Sequence, residues 1–275
     1  MNNNKEAQTF RPETAAPRSK NPEMAAAVPW TNLLRRMNTV VSTQEEAKAL
    51  AEAGLPEGTA VQAECQTGGR GRRGRPWHSP AGKGIWMSVV LRPPLPLAAT
   101  PQLTLLTGVA VCRAVRRVSG VEAGIKWPND LLAGGRKICG ILLESALREG
   151  KLAYTIAGIG IDVNLAEEDI PPELRERATS LLLERGGRPV DRQQLAGAVL
   201  EELEQLYAGY LREGFGEARA AWEAMSVTLG RQIAAQCGEE RVTGAAVGLS
   251  PEGSLLIRDE AGSIVPIHSG EIEMI

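Results

Sequence analysis

Residues 66–77 read Gln66-Thr67-Gly68-Gly69-Arg70-Gly71-Arg72-Arg73-Gly74-Arg75-Pro76-Trp77, with four glycines, four arginines and no acidic residue. Guanidinium groups bind phosphate as a bidentate fork, and glycine lets backbone N–H groups come close to an anion. The stretch therefore reads as a loop that holds nucleotide phosphates. Three phosphate-binding templates can be set against it. Gly69-x-Gly71-x-x-Gly74 spells the dinucleotide fingerprint, but that fingerprint needs a helix to start inside it, and Arg75-Pro76-Trp77-His78-Ser79-Pro80 opens a helix poorly. A Walker loop fails because Gly84, not Ser or Thr, follows Gly82-Lys83. An RGG tract would be long and repetitive, whereas this is a single copy between apolar segments. What survives is an ordered loop closing over an anionic ligand.

The basic loop is a local feature. Over 275 residues the net charge is -2 and the pI about 5.9, which is not the footprint of a chain that binds nucleic acid non-specifically. With 43% hydrophobic residues the chain can bury a large core, so one large and one small domain are expected. Cys65, Cys112, Cys139 and Cys237 form no C-x-x-C pair, and His78 and His268 are the only histidines. A structural zinc site is not expected, and a reduced, cytoplasmic setting is. Neither a signal peptide nor a membrane span is legible. Residues 1–29 read as a disordered leader, too short and unpatterned for a DNA-binding helix-turn-helix module.

Along the rest of the chain, helical and strand patterns alternate. Ser42-Thr43-Gln44-Glu45 reads as a capping box that opens a helix running toward Gly54, and 60–64 as the strand that delivers the loop. Another strand is expected over 85–91. Thr100-Pro101 starts a helix that ends at Gly120. Lys126-Trp127-Pro128-Asn129-Asp130 reads as a loop and Gly134-Gly135 as a hairpin turn, with strands near 138–145 and 152–163. Asp191 caps a long amphipathic helix. From about Val227 onward the texture is that of a small five-stranded barrel.

Gly69–Trp77, Lys126-Trp127-Pro128-Asn129-Asp130, Lys137-Ile138-Cys139-Gly140-Ile141-Leu142-Leu143-Glu144 and Gly158-Ile159-Gly160-Ile161-Asp162-Val163-Asn164 together resemble, in order, the motifs of biotin–protein ligases. The likeness runs from about Ser42 to the C-terminus. It implies an α+β fold, a mixed sheet flanked by helices as in class II synthetases, over residues 30–225. A small SH3-like β-barrel is expected over 226–275. It also implies two half-reactions: biotin's carboxylate attacks the α-phosphate of ATP to give biotinyl-5′-AMP and pyrophosphate, then a lysine of a biotin carboxyl carrier protein domain takes the biotin and AMP leaves. ATP, biotin and Mg2+ are the expected small molecules. The type resembled is the monofunctional one, without a DNA-binding domain, contacting neither DNA nor membrane; a homodimer stays open.

Two mutually repelling anions must meet, so cations must sit between them. The resemblance makes Lys137 and Arg72 the catalytic candidates, although Lys137 by itself also reads as a solvated lysine after a turn. Arg70, Arg72 and Arg75 are expected to share the phosphates while Arg73 points away. Lys126 is a second phosphate candidate. Trp77 is either an adenine platform or core packing. Asn129 is expected on the nucleotide, and Asp130 either on magnesium or capping a turn. Asn164 is either an adenine contact or a strand-ending turn residue. For biotin, the resemblance implies Ser42, Thr43 and Gln66 around the ureido ring, with Arg70, Lys137, Gly140 and Leu142 completing the biotin site. Many relatives have Asn where this chain has Gln44, which leaves any contact through that side chain open. A lipoate or octanoyl ligase, a biotin-responsive regulator and a silent adenylate binder are the competing readings.

Overall fold

The computed structural model describes residues 28–237 and 240–275, so the disordered-leader expectation lies, but for Val28 and Pro29, outside the described residues. A single 3-10 turn at Trp30–Leu33 leads into strand β1 (Leu34–Val40), helix α1 (Thr43–Glu52) and strand β2 (Ala60–Gln66). β1 and β2 are parallel, a βαβ unit with α1 as the crossover. The chain continues through β3 (Gly84–Leu91), α2 (Thr100–Ser119), β4 (Gly124–Lys126), β5 (Asp130–Ala133), β6 (Arg136–Arg148) and β7 (Lys151–Asp162). These strands form one mixed sheet of seven, ordered β1-β2-β3-β7-β6-β5-β4. Helices α3 (Leu181–Glu184), α4 (Arg192–Glu213) and α5 (Gly216–Met225) follow. Strands β8 (Gln232–Cys237), β9 (Glu240–Leu249), β10 (Leu255–Arg258), β11 (Ile264–Ile267) and β12 (Glu271–Met274) make the second sheet, antiparallel and ordered β11-β10-β9-β8-β12.

The seven-stranded sheet is covered unequally. On one face α2 lays Leu103, Leu106, Val109 and Ala110 against Ile85, Met87, Ile141, Ile159 and Ile161, and α4 packs on α2 through Leu195, Val199 and Leu203. Strand β3 is buried on both faces along its whole length, so it reads as a continuous apolar run rather than an alternation. The segment Leu97–Ser119 is long and apolar enough to cross a membrane, and its burial in this core accounts for that composition. On the other face a single short helix, α1, packs on β2, β3 and β7, through Ala47 and Ala51 on Val61, Val90 and Ile156. Beyond α1 this face is open.

Ser42 caps α1 as expected, accepting from the Gln44 N–H. The box is not closed. Glu45 turns away from the cap to the Arg70 guanidinium, an ion pair in place of a neutral backbone contact. The start of the described chain is tied to α4: the Trp30 N–H donates to Glu204 Oε2 at 3.2 Å, and its ring lies 5.7 Å from that of Tyr207. Gly58, at φ 81°, lies under the indole, where a Cβ would come within 2.2 Å of the ring. Trp30→Ala should therefore leave a cavity that the neighbouring loop cannot fill, costing ~3–5 kcal/mol in urea unfolding. A loss below about 1 kcal/mol would show that this anchor is not needed.

Candidate active site

The open face of the sheet is a cavity of about 580 Å3. Its floor is made by what β6 and β7 lack. Gly140 pairs with Gly160 and Leu142 with Gly158, so three of the four facing positions carry no side chain. A Cβ on Gly160 would stand 2.6 Å from Trp77 Nε1, and one on Gly158 2.5 Å from Gln44 Oε1. On Gly140 it would meet both the Trp77 ring, at 3.0 Å, and Lys137 Nζ, at 3.1 Å.

Lys137 reaches this floor through a bulge. Leu131 pairs with Cys139 but Leu132 pairs with Lys137, so Ile138 is skipped. In a regular strand Lys137 and Gly140 would face opposite sides; the extra residue brings them to the same one. Ile138 and Cys139, both fully buried, stay in the core. Beyond the end of β7 the 177–179 segment takes over as neighbour, Lys137 N–H donating to Arg177 O and Thr179 N–H to Lys137 O. The ammonium stands 2.7 Å from Asp130 Oδ1 and 5.1 Å from the centre of the Trp77 ring. That carboxylate oxygen is buried and the contact is poorly directed, so it is an ion pair without a well-formed hydrogen bond.

The basic loop is a closed hairpin, with Gly71 N–H on Arg75 O at 2.7 Å and Trp77 N–H on Gly69 O at 2.9 Å. It turns at Arg73 and Gly74, both with positive φ. Arg72 points inward. Its Nη1 donates to Asn129 Oδ1 at 2.9 Å and its Nη2 to Gly270 O at 3.2 Å, while Asn129 Nδ2 donates to Ile141 O. Burial, and after it the neighbouring Arg73, lowers the pKa of the Arg72 guanidinium from its ordinary value. The absence of acidic neighbours holds in sequence only. Arg70 pairs with Glu45 of α1, and Arg75 and Arg73 with Glu271 of β12. Arg70, Arg72, Arg75 and Lys126 line the cavity; Arg73 does not.

At the α1 end of the cavity the polar groups form one chain. Thr43 N–H and Oγ1 donate to Gln66 Oε1, Gln66 Nε2 donates to Ser79 Oγ, and Thr43 Oγ1 meets Ser88 Oγ at 2.8 Å. Gln44 accepts from Ser88 and donates to Ile156 O and Leu142 O, so its amide cross-links the floor and is not free for a ligand. Ser42, Thr43, Gln66, Gly140 and Leu142 all line the cavity.

Asn164 is a correction. Its Nδ2 donates to Val190 O and its Oδ1 accepts from Val190 N–H, each at 2.9 Å, so the amide is used up joining the end of β7 to the start of α4. It is not among the residues lining the cavity. Asp162, two residues earlier and not singled out from the sequence, does line it. The signal was the strand period: 158, 160 and 162 share one face. Asp162 is 9% exposed, and burial, opposed by Lys137, pushes its pKa up to about 8. Trp77, Leu165, Ile170 and Ala178 form an apolar wall beside it, with the Trp77 Nε1–H buried and unpartnered. No group of three or more His, Cys, Asp or Glu that could hold a metal occurs among the described residues.

A cavity floored by glycine, ringed by cations and flanked by a polar pocket and an apolar slot suits a molecule with an anionic middle and two dissimilar ends. Known proteins agree with that shape. The sequence profile of the biotin/lipoate A/B protein ligase family matches residues 37–162, and that of the biotin protein ligase C-terminal domain matches 228–274. The chain is 42% identical over 233 residues to the bifunctional ligase/repressor BirA of Bacillus subtilis, covering 85% of this chain and 71% of that protein. It is 35% identical over 237 residues to the biotin–[acetyl-CoA-carboxylase] ligase of Mycobacterium tuberculosis, covering 84% and 85%. The structure of the Aquifex aeolicus biotin protein ligase in complex with biotin and ATP superposes with a TM-score of 0.77 at 35% identity, over 88% of this chain and 99% of that one. On fold, cavity and sequence together, the chain belongs to the biotin protein ligases of the biotin/lipoate A/B protein ligase family.

Proposed function

We propose that this chain is an ATP-dependent biotin–protein ligase, which activates biotin as biotinyl-5′-AMP and passes it to a lysine of a biotin carboxyl carrier protein domain. The observation that carries the reading is the meeting of Lys137, from β6, with Arg72, from the basic loop, at one glycine-floored cavity. The ligase names of the relatives support it. Both matched regions, 37–162 and 228–274, are ligase regions, and it is the ligase half of the Bacillus relative's double name that is carried over. Residues 30–225 would be the catalytic unit and 226–275 the C-terminal one. Cys65, Cys112 and Cys139 are free thiols, in keeping with a cytoplasmic setting.

In the first half-reaction a carboxylate oxygen attacks the α-phosphorus and pyrophosphate leaves. Lys137 would contact both the incoming carboxylate and the phosphate oxygens, cancelling the repulsion between them and the charge that builds during displacement. Thr43, Gln66 and Ser42 would receive the ureido ring, short polar groups at the end of a pocket whose floor is backbone. Arg72 would hold the phosphate of the adenylate. Arg70 and Arg75 would join the triphosphate by exchanging Glu45 and Glu271 for it, an inexpensive exchange because exposed ion pairs are worth only ~0–1 kcal/mol. Lys126, which also lines the cavity, would be a further phosphate contact. Mg2+ keeps most of its water and needs only one or two carboxylates beside nucleotide phosphates. Asp130, which lines the cavity, would be its single protein ligand, through the carboxylate oxygen other than the one held against the Lys137 ammonium. The ion would neutralise phosphate charge. In the second half-reaction the carrier lysine attacks the acyl carbon, AMP departs, and the closed loop keeps water from the mixed anhydride until then.

Lys137→Ala should reduce biotin-dependent pyrophosphate release by about a hundredfold or more, the scale of one preorganised electrostatic donor. A rate within a few-fold of the parent would end the assignment. Arg72→Gly should still make biotinyl-5′-AMP but lose it. Mass spectrometry of the desalted protein after incubation with biotin, ATP and Mg2+ reads this directly, and retention equal to the parent's would remove Arg72 from the role.

A further inference from the structure

Four oxygens at the α1 end of the cavity stand in a row: Gln44 Oε1, Ser88 Oγ, Thr43 Oγ1 and Gln66 Oε1. The spaces between them are 3.0, 2.8 and 3.1 Å, each within hydrogen-bond reach. Neither amide can turn round. Gln44 Nε2 faces the carbonyls of Ile156 and Leu142, at 3.2 and 3.4 Å, which only accept, so its Oε1 must face Ser88. Gln66 Oε1 faces the Thr43 N–H, at 2.9 Å, which only donates, and its Nε2 is turned to Ser79 Oγ. Both ends of the row are therefore acceptors, and between them lie two hydroxyls with one proton each. Two protons are shared among three spaces, so one space goes without.

Burial decides which space that is. Ser88 is 1% exposed, Thr43 4% and Gln44 6%, so a proton missing at Gln44 would leave a buried oxygen unsatisfied, and one missing in the middle would press two buried oxygens together at 2.8 Å. Gln66 is only half-buried. The Ser88 hydroxyl therefore donates to Gln44 Oε1 and the Thr43 hydroxyl to Ser88 Oγ, and the longest space, between Thr43 and Gln66, is left as two acceptors side by side at the cavity. An N–H from outside completes it. Resting on the biotin reading of this cavity, we propose that Gln44, acting through Ser88, is the positioning residue that draws both hydroxyl protons inward, so that Thr43 Oγ1 and Gln66 Oε1 receive the N–H side of biotin's ureido ring. A fatty acid or a cyclic carbonate brings no N–H and leaves the two lone pairs opposed, so the row selects for a urea. Without the Gln44 acceptor the count changes. Two protons then fill the two remaining spaces, Ser88 donating to Thr43 and Thr43 to Gln66, and the open pair of acceptors is gone.

The test uses the full chain and reads biotin binding directly, by calorimetry without ATP, for the parent, Gln44→Met, Ser88→Ala and the double variant. Each single variant should raise the Kd for biotin about tenfold, the scale of one hydrogen bond, and the double variant should be no worse than either, because both changes cut the same row. KM for ATP, from pyrophosphate release, should stay within about twofold in all three, since the row does not touch the nucleotide. A Kd equal to the parent's in either single variant overturns the proposal, and so does a loss of about a hundredfold in the double variant, the product of two independent effects. A KM for ATP that rises in step with the biotin Kd also overturns it, being the mark of a floor loosened as a whole. A measurement that needs no variant is the Kd of the parent for the biotin analogue in which oxygen replaces both ring N–H groups. It should lie at least about a hundredfold above that for biotin, and binding within a few-fold of biotin's refutes the open acceptor pair. A parent that binds biotin in this way yet releases no pyrophosphate with ATP would refute the ligase reading alone; biotinyl-5′-AMP formed by variants whose biotin Kd matches the parent's would refute this one alone.

Discussion

A β-sheet packed on both faces has no room for a ligand, and this one stays open because three Cβ atoms are missing where β6 meets β7. The constraint acts on the two faces in opposite ways. The side toward α2 must be filled, and Cys139, Ile141, Ile159 and Ile161, none more than 2% exposed, fill it. The alternate residues must be empty, and Gly140, Gly158 and Gly160 are. The vacated space is taken up by side chains from elsewhere, Gln44 from α1 and Trp77 from the loop, each at a distance no Cβ would allow. Glycine inside a strand weakens it. Here the loss is offset because the same strands are central in the sheet and paired on both sides.

The charges around the cavity follow a second constraint. Six Lys and Arg side chains, Arg70, Arg72, Arg75, Lys126, Lys137 and Arg177, border a single space, and without a ligand they would repel one another. The fold answers with anions drawn from distant elements: Glu45 from α1, Glu271 from β12 and Asp130 from β5. The pairs differ in kind. Those of Arg70 and Arg75 are solvent-exposed, weak and exchangeable. Arg72 is held by two oxygens that carry no formal charge, the Asn129 side-chain carbonyl and the Gly270 carbonyl, so its positive charge is positioned without being spent. The C-terminal sheet thus contributes to the cavity through the backbone of Gly270 as well as the side chain of Glu271.

What the sequence disclosed was local. The Ser42 and Asp191 caps, the Gly120 stop and the Gly134-Gly135 turn are properties of a few adjacent residues, and each stands where it was expected. β1 was not legible: it is an edge strand whose side chains, from Leu34 to Val40, do not alternate between buried and exposed. β4 is three residues long, too short for any period to show. The ion pairs that neutralise the basic loop join residues such as Arg75 and Glu271, 196 positions apart, and no local reading reaches that far. Asn164 and Asp162 show a subtler limit. The letters Gly-Ile-Gly-Ile-Asp-Val-Asn name both, and both share the two-residue period of Gly158 and Gly160; what separates them is that β7 ends at Asp162, after which Asn164 turns to Val190.

The bulge at Ile138 brings these constraints to one atom. A regular β6 would put Lys137 in the core beside Cys139, where an ammonium has no partner and a large desolvation cost. Skipping Ile138 rotates the lysine out to the glycine floor but would leave its backbone beyond the reach of β7, which stops at Asp162. The 177–179 segment supplies both missing hydrogen bonds, so the position is held from β5 on one side and from this segment on the other. A long flexible side chain costs up to ~2 kcal/mol of rotamer entropy to immobilise. By fixing the backbone on two sides and the ammonium against Asp130 and Trp77, the fold meets most of that cost before any ligand arrives. An ammonium already in place when two anions enter lowers the barrier between them, whereas one that must first be ordered does not.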